Sequence, residues 1–203
     1  MVNTPRTITR KLHYFHNREK RRSPMRTAIP LLQTHLLLLL LLLLIPIPPI
    51  SSTDLIEQIC KKTPFYDLCM LSLKSDPQSL NLDLKGLATE MANMVLSNAS
   101  DNLDYIQGLI KQNKDPEKQR PLAYCAEAYI PVVKYNLPQA IEALSNGHYG
   151  FANYGISDAA NGADACEKNF PCCNTSPLTE RNKLVHNLSE IAVAIINVLW
   201  KKG

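Results

Sequence analysis

The chain has 203 residues, 45% hydrophobic and 20% charged, with 22 Lys and Arg against 18 Asp and Glu and a formal net charge of +4. The excess is local: residues 1–50 hold 8 of the basic residues and one acid, Glu19, whereas the remainder holds 14 basic and 17 acidic residues, a balance of −3. A nucleic-acid binder keeps positive charge on its folded domain, so that class is excluded, and the roughly 150 residues after the basic segment suffice for one domain with a real core.

From the amino terminus, Lys11 to Arg22 is basic, and Leu36 to Leu44 is an unbroken leucine run continued by Ile45. Pro46, Pro48 and Pro49 end any helix, and Ser51 and Ser52 are small residues suited to cleavage. This is the pattern of a signal peptide within residues 1–52. The run is about half of the 20 or so apolar residues a membrane span needs, so no permanent anchor is expected. Met25 opens a more ordinary leader, Met25-Arg26-Thr27-Ala28, so residues 1–24 are read as an over-extended start. Residues 53–203 form the mature domain.

That domain begins with a helical hairpin at about 54–75. Cys60 and Cys69 flank Thr63-Pro64, which folds two short helices back on each other, with Thr63 as N-cap of the second. A disulfide closing so short a loop is worth roughly 3 kcal/mol in the chain-entropy model; the alternative is two buried thiols. All six cysteines, Cys60, Cys69, Cys125, Cys166, Cys172 and Cys173, follow the leader, as in a chain made for an oxidising compartment. Asn98, Asn174 and Asn187 head glycosylation acceptor patterns, Asn187 within a strong helical pattern.

After the breaker Ser75-Asp76-Pro77, four long helical patterns follow. The first steps through Leu84, Leu87, Met91, Met94, Asn98, Asn102, Tyr105 and Leu109, with Val95 and Ile106 beside the seam. The second runs through Leu122, Ala126, Tyr129, Val133, Leu137, Ile141 and Leu144; Pro131 and Pro138 interrupt it and predict a kink near Asn136 to Pro138. Asn146-Gly147 is its stop. The third, rich in small residues, uses Phe151, Ile156, Ala159, Ala163, Cys166 and Phe170. In the fourth, Ser176 and Pro177 read as N-cap and N1, and Leu184, Leu188, Ile191, Ile195 and Val198 form the seam.

These patterns predict an all-α, up-down-up-down four-helix bundle with the hairpin as an appendage. Antiparallel packing can bring Cys125 and Cys166 together. Cys172 and Cys173 are left to be free, to pair with each other, or to cross-link two chains as a dimer; six cysteines allow fifteen full connectivities.

Catalytic chemistry is not apparent. Three of the five histidines, His13, His16 and His35, belong to the leader, and His148 and His186 form no ligand set with each other or with the cysteines, so no metal is expected. With 7 glycines the chain has no nucleophile elbow, phosphate loop or dinucleotide fingerprint, and no cofactor is expected. The carboxylates Asp101 and Asp104, or Asp115 and Glu117, read as solvated faces and helix ends. A hydrolase would have to rest on His186, for which the sequence offers no partner. A secreted, disulfide-stapled bundle without chemistry points to a protein that acts by binding.

Several segments carry a resemblance over about Asp54 to Leu199. The opening Ile59-Cys60-Lys61-Lys62-Thr63 to Tyr66-Asp67-Leu68-Cys69 with Leu73-Lys74-Ser75-Asp76-Pro77, then Tyr124-Cys125-Ala126-Glu127-Ala128-Tyr129, Leu137-Pro138-Gln139-Ala140-Ile141 and Ala165-Cys166-Glu167-Lys168-Asn169-Phe170, resemble the plant invertase and pectin methylesterase inhibitor family. The resemblance implies a four-helix bundle with an amino-terminal hairpin, bridged Cys60 to Cys69 and Cys125 to Cys166. It implies a target that is either an acid invertase or a pectin methylesterase, in the cell wall, apoplast or vacuole; some relatives are known as pollen allergens.

The segments around Cys166 and Leu137 to Leu144 look more like the invertase-inhibitor branch. That branch often carries Pro-Lys-Phe at the start of the third bundle helix, where this chain has Tyr149-Gly150-Phe151. The aromatic is kept and the cation is lost, an interaction of about 1.5–3 kcal/mol if charge-assisted. The resemblance thus implies target contacts at His148, Tyr149, Gly150 and Phe151; the alternative is that Tyr149 and Phe151 simply pack the helix start. A non-inhibitory secreted bundle, dimerised through Cys172 or Cys173, is the competing reading of another class.

Overall fold

The computed structural model describes residues 28–43, 52–170 and 176–202. The chain divides into two units, residues 1–49 and 50–203. In the first, helix α1 (Ala28–Leu43) contains most of the leucine run. Pro46, Pro48, Pro49, Ser51, Asn174, Cys172 and Cys173 lie outside the described residues.

The second unit is built of helices and turns, with no strand among the described residues. Helices α2 (Ser52–Cys60) and α3 (Tyr66–Ser75) form the hairpin; α4 (Leu84–Gln112), α5 (Pro116–Pro131) continued through a π-helical turn at Val132–Asn136 into α6 (Leu137–Ser145), α7 (Tyr149–Lys168) and α8 (Thr179–Trp200) form the bundle. In cross-section α4 touches α5–α6 and α8, and α7 touches the same two, which is the expected antiparallel square. The hairpin lies against α4 and α8, and Ile56, Ile59, Cys60, Cys69 and Leu73 are buried in the common core. Both bridges read from the sequence are present, Cys60–Cys69 and Cys125–Cys166.

Several local expectations are corrected. Thr63 does not cap α3: its backbone N–H and its hydroxyl both donate to the Cys60 carbonyl, at 3.0 and 2.8 Å, and so close the end of α2. Ser176 and Pro177 precede α8 rather than begin it; the Ser176 hydroxyl accepts from the Leu178 N–H, and the helix opens at Thr179. Tyr105, Phe151 and Leu184 are exposed, because the buried seams run through their neighbours Val95, Ala99 and Ile106, Ala152 and Ile156, and Val185 and Leu188.

The kink takes the form of a π turn. Buried positions on α5 step Leu122, Cys125, Tyr129 and Val132, then jump five residues to Leu137 before resuming at Ala140 and Leu144. The extra residue keeps Leu137 in the core although Pro138 cannot donate a backbone hydrogen bond. It also presents the Asn136 carbonyl to α7. A Cβ on Gly155 would come within 2.9 Å of that oxygen and 3.0 Å of the Ala140 Cβ, so glycine sets the approach of the two helices.

A polar cluster holds the far half of the bundle. The Asn182 Oδ1 accepts from the Asn102 amide at 3.0 Å and from the Tyr129 hydroxyl at 2.9 Å, while its Nδ2 donates to Glu167 Oε2 at 2.8 Å and to the Cys166 sulfur at 3.2 Å. Burial pushes the Tyr129 phenol well above its ordinary range, so it remains a donor. The polar residue Asn102 in the α4 seam therefore has a partner on α8.

Two outcomes follow for stability. Gly155→Ala, despite alanine's better helix propensity, should destabilise by about 1–3 kcal/mol through overpacking, whereas Gly108→Ala, where no atom lies within 4 Å, should stabilise by about 0.5–1 kcal/mol; denaturant unfolding of the pair checks this. Asn182→Leu should cost at least about 2 kcal/mol, since it strands two buried donors at about 1–3 kcal/mol each.

Candidate functional site

The start of α7 is positioned by the end of α6. Gly147 takes φ = 78°, a conformation open to glycine, and this lets the His148 N–H reach the Ala143 carbonyl at 2.8 Å and the Gly147 N–H the Leu144 carbonyl at 3.2 Å. These two bonds are a Schellman motif, and they reverse the chain within two residues. The His148 carbonyl then accepts from Ala152 N–H at 3.1 Å and begins α7. Lys85, in the first turn of α4, adds a bond from its Nζ to the Ser145 carbonyl at 2.6 Å, fastening the turn to a second helix.

The four residues singled out in the sequence therefore lie together on a fixed turn, but they do not play one part. His148 is exposed at the N-cap position, and Tyr149 is half-buried and packs on the core. Phe151 is 56% exposed. The packing explanation thus applies to Tyr149 and not to Phe151, whose helix is seated instead by the buried Ala152 and Ile156.

Gly150 is explained by a residue that the sequence reading did not single out. The Trp200 ring lies over it, with ring carbons 3.2 and 3.7 Å from where a Cβ would stand. Trp200 is 55% exposed, and Tyr154, one turn along from Phe151 and Gly150, is 69% exposed. Exposed aromatic residues of α7 thus follow directly on the glycine that the Trp200 ring covers. Asn153 Nδ2 donates to Asn197 Oδ1 at 2.8 Å and fixes α7 to α8 just behind them. The available sequence signal for Trp200 was its place as the single tryptophan, ending an apolar helix directly before Lys201 and Lys202.

The remaining sequence candidates lie elsewhere. Asn98 sits mid-helix with its Nδ2 donating to the Met94 carbonyl at 2.8 Å, and Asn187 is half-buried on α8. His186 lies toward the opposite end of the bundle, its Nδ1 2.9 Å from Asp164 Oδ1, in a cleft of about 200 Å³ shared with Glu167, Thr179 and Lys183. No group of three metal-ligating side chains occurs among the described residues.

A bundle of this topology, bridged Cys60–Cys69 and Cys125–Cys166 and with an exposed aromatic at the first turn of α7, fits the resemblance carried by the sequence. The family model for plant invertase/pectin methylesterase inhibitors matches residues 54–195. The chain belongs to that family. It is 36% identical over 146 residues to a cell wall/vacuolar inhibitor of fructosidase 1 from Arabidopsis thaliana, covering 72% of this chain and 69% of the relative. It is 33% identical over 147 residues to a pectinesterase inhibitor from Actinidia deliciosa, covering 71% and 79%. Among solved structures, a mutant form of a pectin methylesterase inhibitor from Arabidopsis superposes with a TM-score of 0.63 at 26% identity, covering 72% of this chain and 96% of that one. The family is one of enzyme inhibitors, so this member acts by binding an enzyme and is not one itself.

The contact at Gly150 is directly testable, because Trp200 is the only fluorophore of its kind in the chain. Gly150→Ala should push the ring outward and shift its emission to longer wavelength, with stability changed by less than about 1 kcal/mol because the displaced ring is already half in solvent.

Proposed function

We propose that this chain is a secreted inhibitor of acid invertase that covers the enzyme's active-site cleft with the end of the bundle where α7 begins. The observation that carries the proposal is Phe151, a large apolar side chain held 56% exposed on a turn whose backbone is fixed by the Gly147 reversal. An ordinary core helix would have hidden it; a rigid, exposed aromatic is what an interface anchor requires. The likeness to a fructosidase inhibitor supports invertase as the target.

The pectin methylesterase reading has support of its own, in the pectinesterase inhibitor from Actinidia deliciosa and in the solved bundles. It differs in target and not in mode of action. For localisation, the proposal takes residues 1–52 as a leader removed on secretion and the cell wall, apoplast or vacuole as the destination, in line with the compartments for which one relative is named. The paired, buried bridges suit an oxidising compartment.

The test is inhibition of purified acid invertase and pectin methylesterase side by side, at mildly acidic pH, by the oxidised domain 53–203. Invertase should lose activity and the esterase should not; loss of esterase activity alone would move the target, and a folded chain that slows neither enzyme would leave a non-inhibitory bundle. Phe151→Ala should weaken invertase binding about tenfold or more while changing stability by no more than about 0.5 kcal/mol.

A further inference from the structure

Resting on the inhibitor reading above, we infer that the carboxyl-terminal end of α8 is the second half of the target-binding surface, with Trp200 as an anchor equal to Phe151 and Lys201 and Lys202 as its charged flank. The target it fits is the carboxylate-lined cleft of a glycoside hydrolase.

Three observations carry this. Trp200 lies on Gly150, and Phe151 and Tyr154 leave α7 one and four residues after that glycine, so aromatic rings from two helices make one exposed surface. No residue larger than glycine fits beneath the ring without moving it, so the surface depends on the residue that separates Tyr149 from Phe151. Beside it, Lys62, Lys201 and Lys202 line a cleft of about 480 Å³ together with Ala194, Asn197 and Val198. None of the three lysines has an ion-pair partner among the described residues. Asn197, in the wall of that cleft, is the residue bonded to Asn153 of α7, so the aromatic and basic surfaces share a rigid support.

The occupant follows from complementary chemistry. A glycoside hydrolase places two carboxyl groups about the scissile bond, so its cleft is acidic, and it is shaped for flat sugar rings. Aromatic rings fill such a subsite with little loss of conformational freedom, and unpaired ammonium groups at the rim complement its charge and speed encounter. The domain as a whole is net acidic, at −3 from residue 51 onward with these lysines included, so the lysine-flanked end is the one directed toward an acidic partner.

The single tryptophan allows a test without mutation. The domain is prepared with 5-fluorotryptophan, which gives one fluorine resonance, and is titrated with unlabelled acid invertase. We expect the line to broaden as the complex forms and its position and solvent isotope shift to change as the ring leaves water. A line that broadens without either change shows a complex that leaves Trp200 in solvent and overturns the inference while the inhibitor reading stands. A change that tracks the domain's own concentration without invertase assigns the surface to a second copy and also overturns it. If invertase is neither bound nor inhibited, the reading beneath the inference falls with it. In parallel, Trp200→Ala should weaken inhibition about 30-fold or more, the range of a binding hot spot. Lys201→Ala with Lys202→Ala should slow association most at low salt, as rim charges do. Inhibition by the folded Trp200→Ala variant within about threefold of the parent overturns the inference.

Discussion

The approach of α7 to the π turn between α5 and α6 is the constraint on which the rest of the bundle depends. At Gly155 the two backbones come so close that a single methyl group would strike the Asn136 carbonyl. Around it α7 buries only small residues over much of its length, Ala152, Ala159, Ala160 and Ala163, with Ile156 the largest. A helix that packs this closely takes mostly small side chains on its buried face. Phe151 and Tyr154 are therefore directed outward by the same close approach that seats the helix. Under the proposed function they stand where the target enzyme covers them, which is one role of an exposed apolar surface.

Much of this was legible in the sequence because it depends on periods and punctuation. Helix order, the stop at Asn146-Gly147 and the Cys60–Cys69 bridge of the hairpin follow from local rules that tertiary structure did not override, whereas the Cys125–Cys166 pairing is what the family resemblance implies. The errors share a cause. A stripe drawn through every large apolar residue included Tyr105, Phe151 and Leu184, whereas the buried faces run through smaller neighbours that pack more closely. Thr63 and Ser176 were assigned to the helix that follows; each instead completes the turn it sits in, as short hydroxyl side chains readily do. Prolines at 131 and 138 signalled a break, but a jump of five buried positions is a π turn, and only the contact with Gly155 reveals what it is for.

The site was half legible. The segment His148 to Phe151 could be found because it follows a strong helix stop and sits where the family resemblance directs attention. Trp200 could not be found in the same way, since it is 50 residues away along the chain and meets Gly150 only once α7 and α8 are packed. Its presence changes the meaning of the glycine. At the sequence level Gly150 is a loss, a missing cation; in the fold it is the space that admits an aromatic ring from another helix, with two lysines immediately beyond. The proposed target surface accordingly draws on two helices and not on one turn.

The two disulfides differ in what they demand of the chain. Cys60 and Cys69 are 9 residues apart, on two short helices joined by one turn, whereas Cys125 and Cys166 are 41 apart on α5 and α7; all four are wholly buried. Closing the longer loop costs more entropy, and Cys166 has Cys172 and Cys173 far nearer along the chain as rivals. Cys125 and Cys166 lie within bonding reach where α5 and α7 are packed together, and Asn182 of α8 donates to the Cys166 sulfur there. The first bridge therefore pins a hairpin already closed by its own turn, whereas the second staples α5 to α7 across the bundle and restricts the unfolded chain over the longer loop.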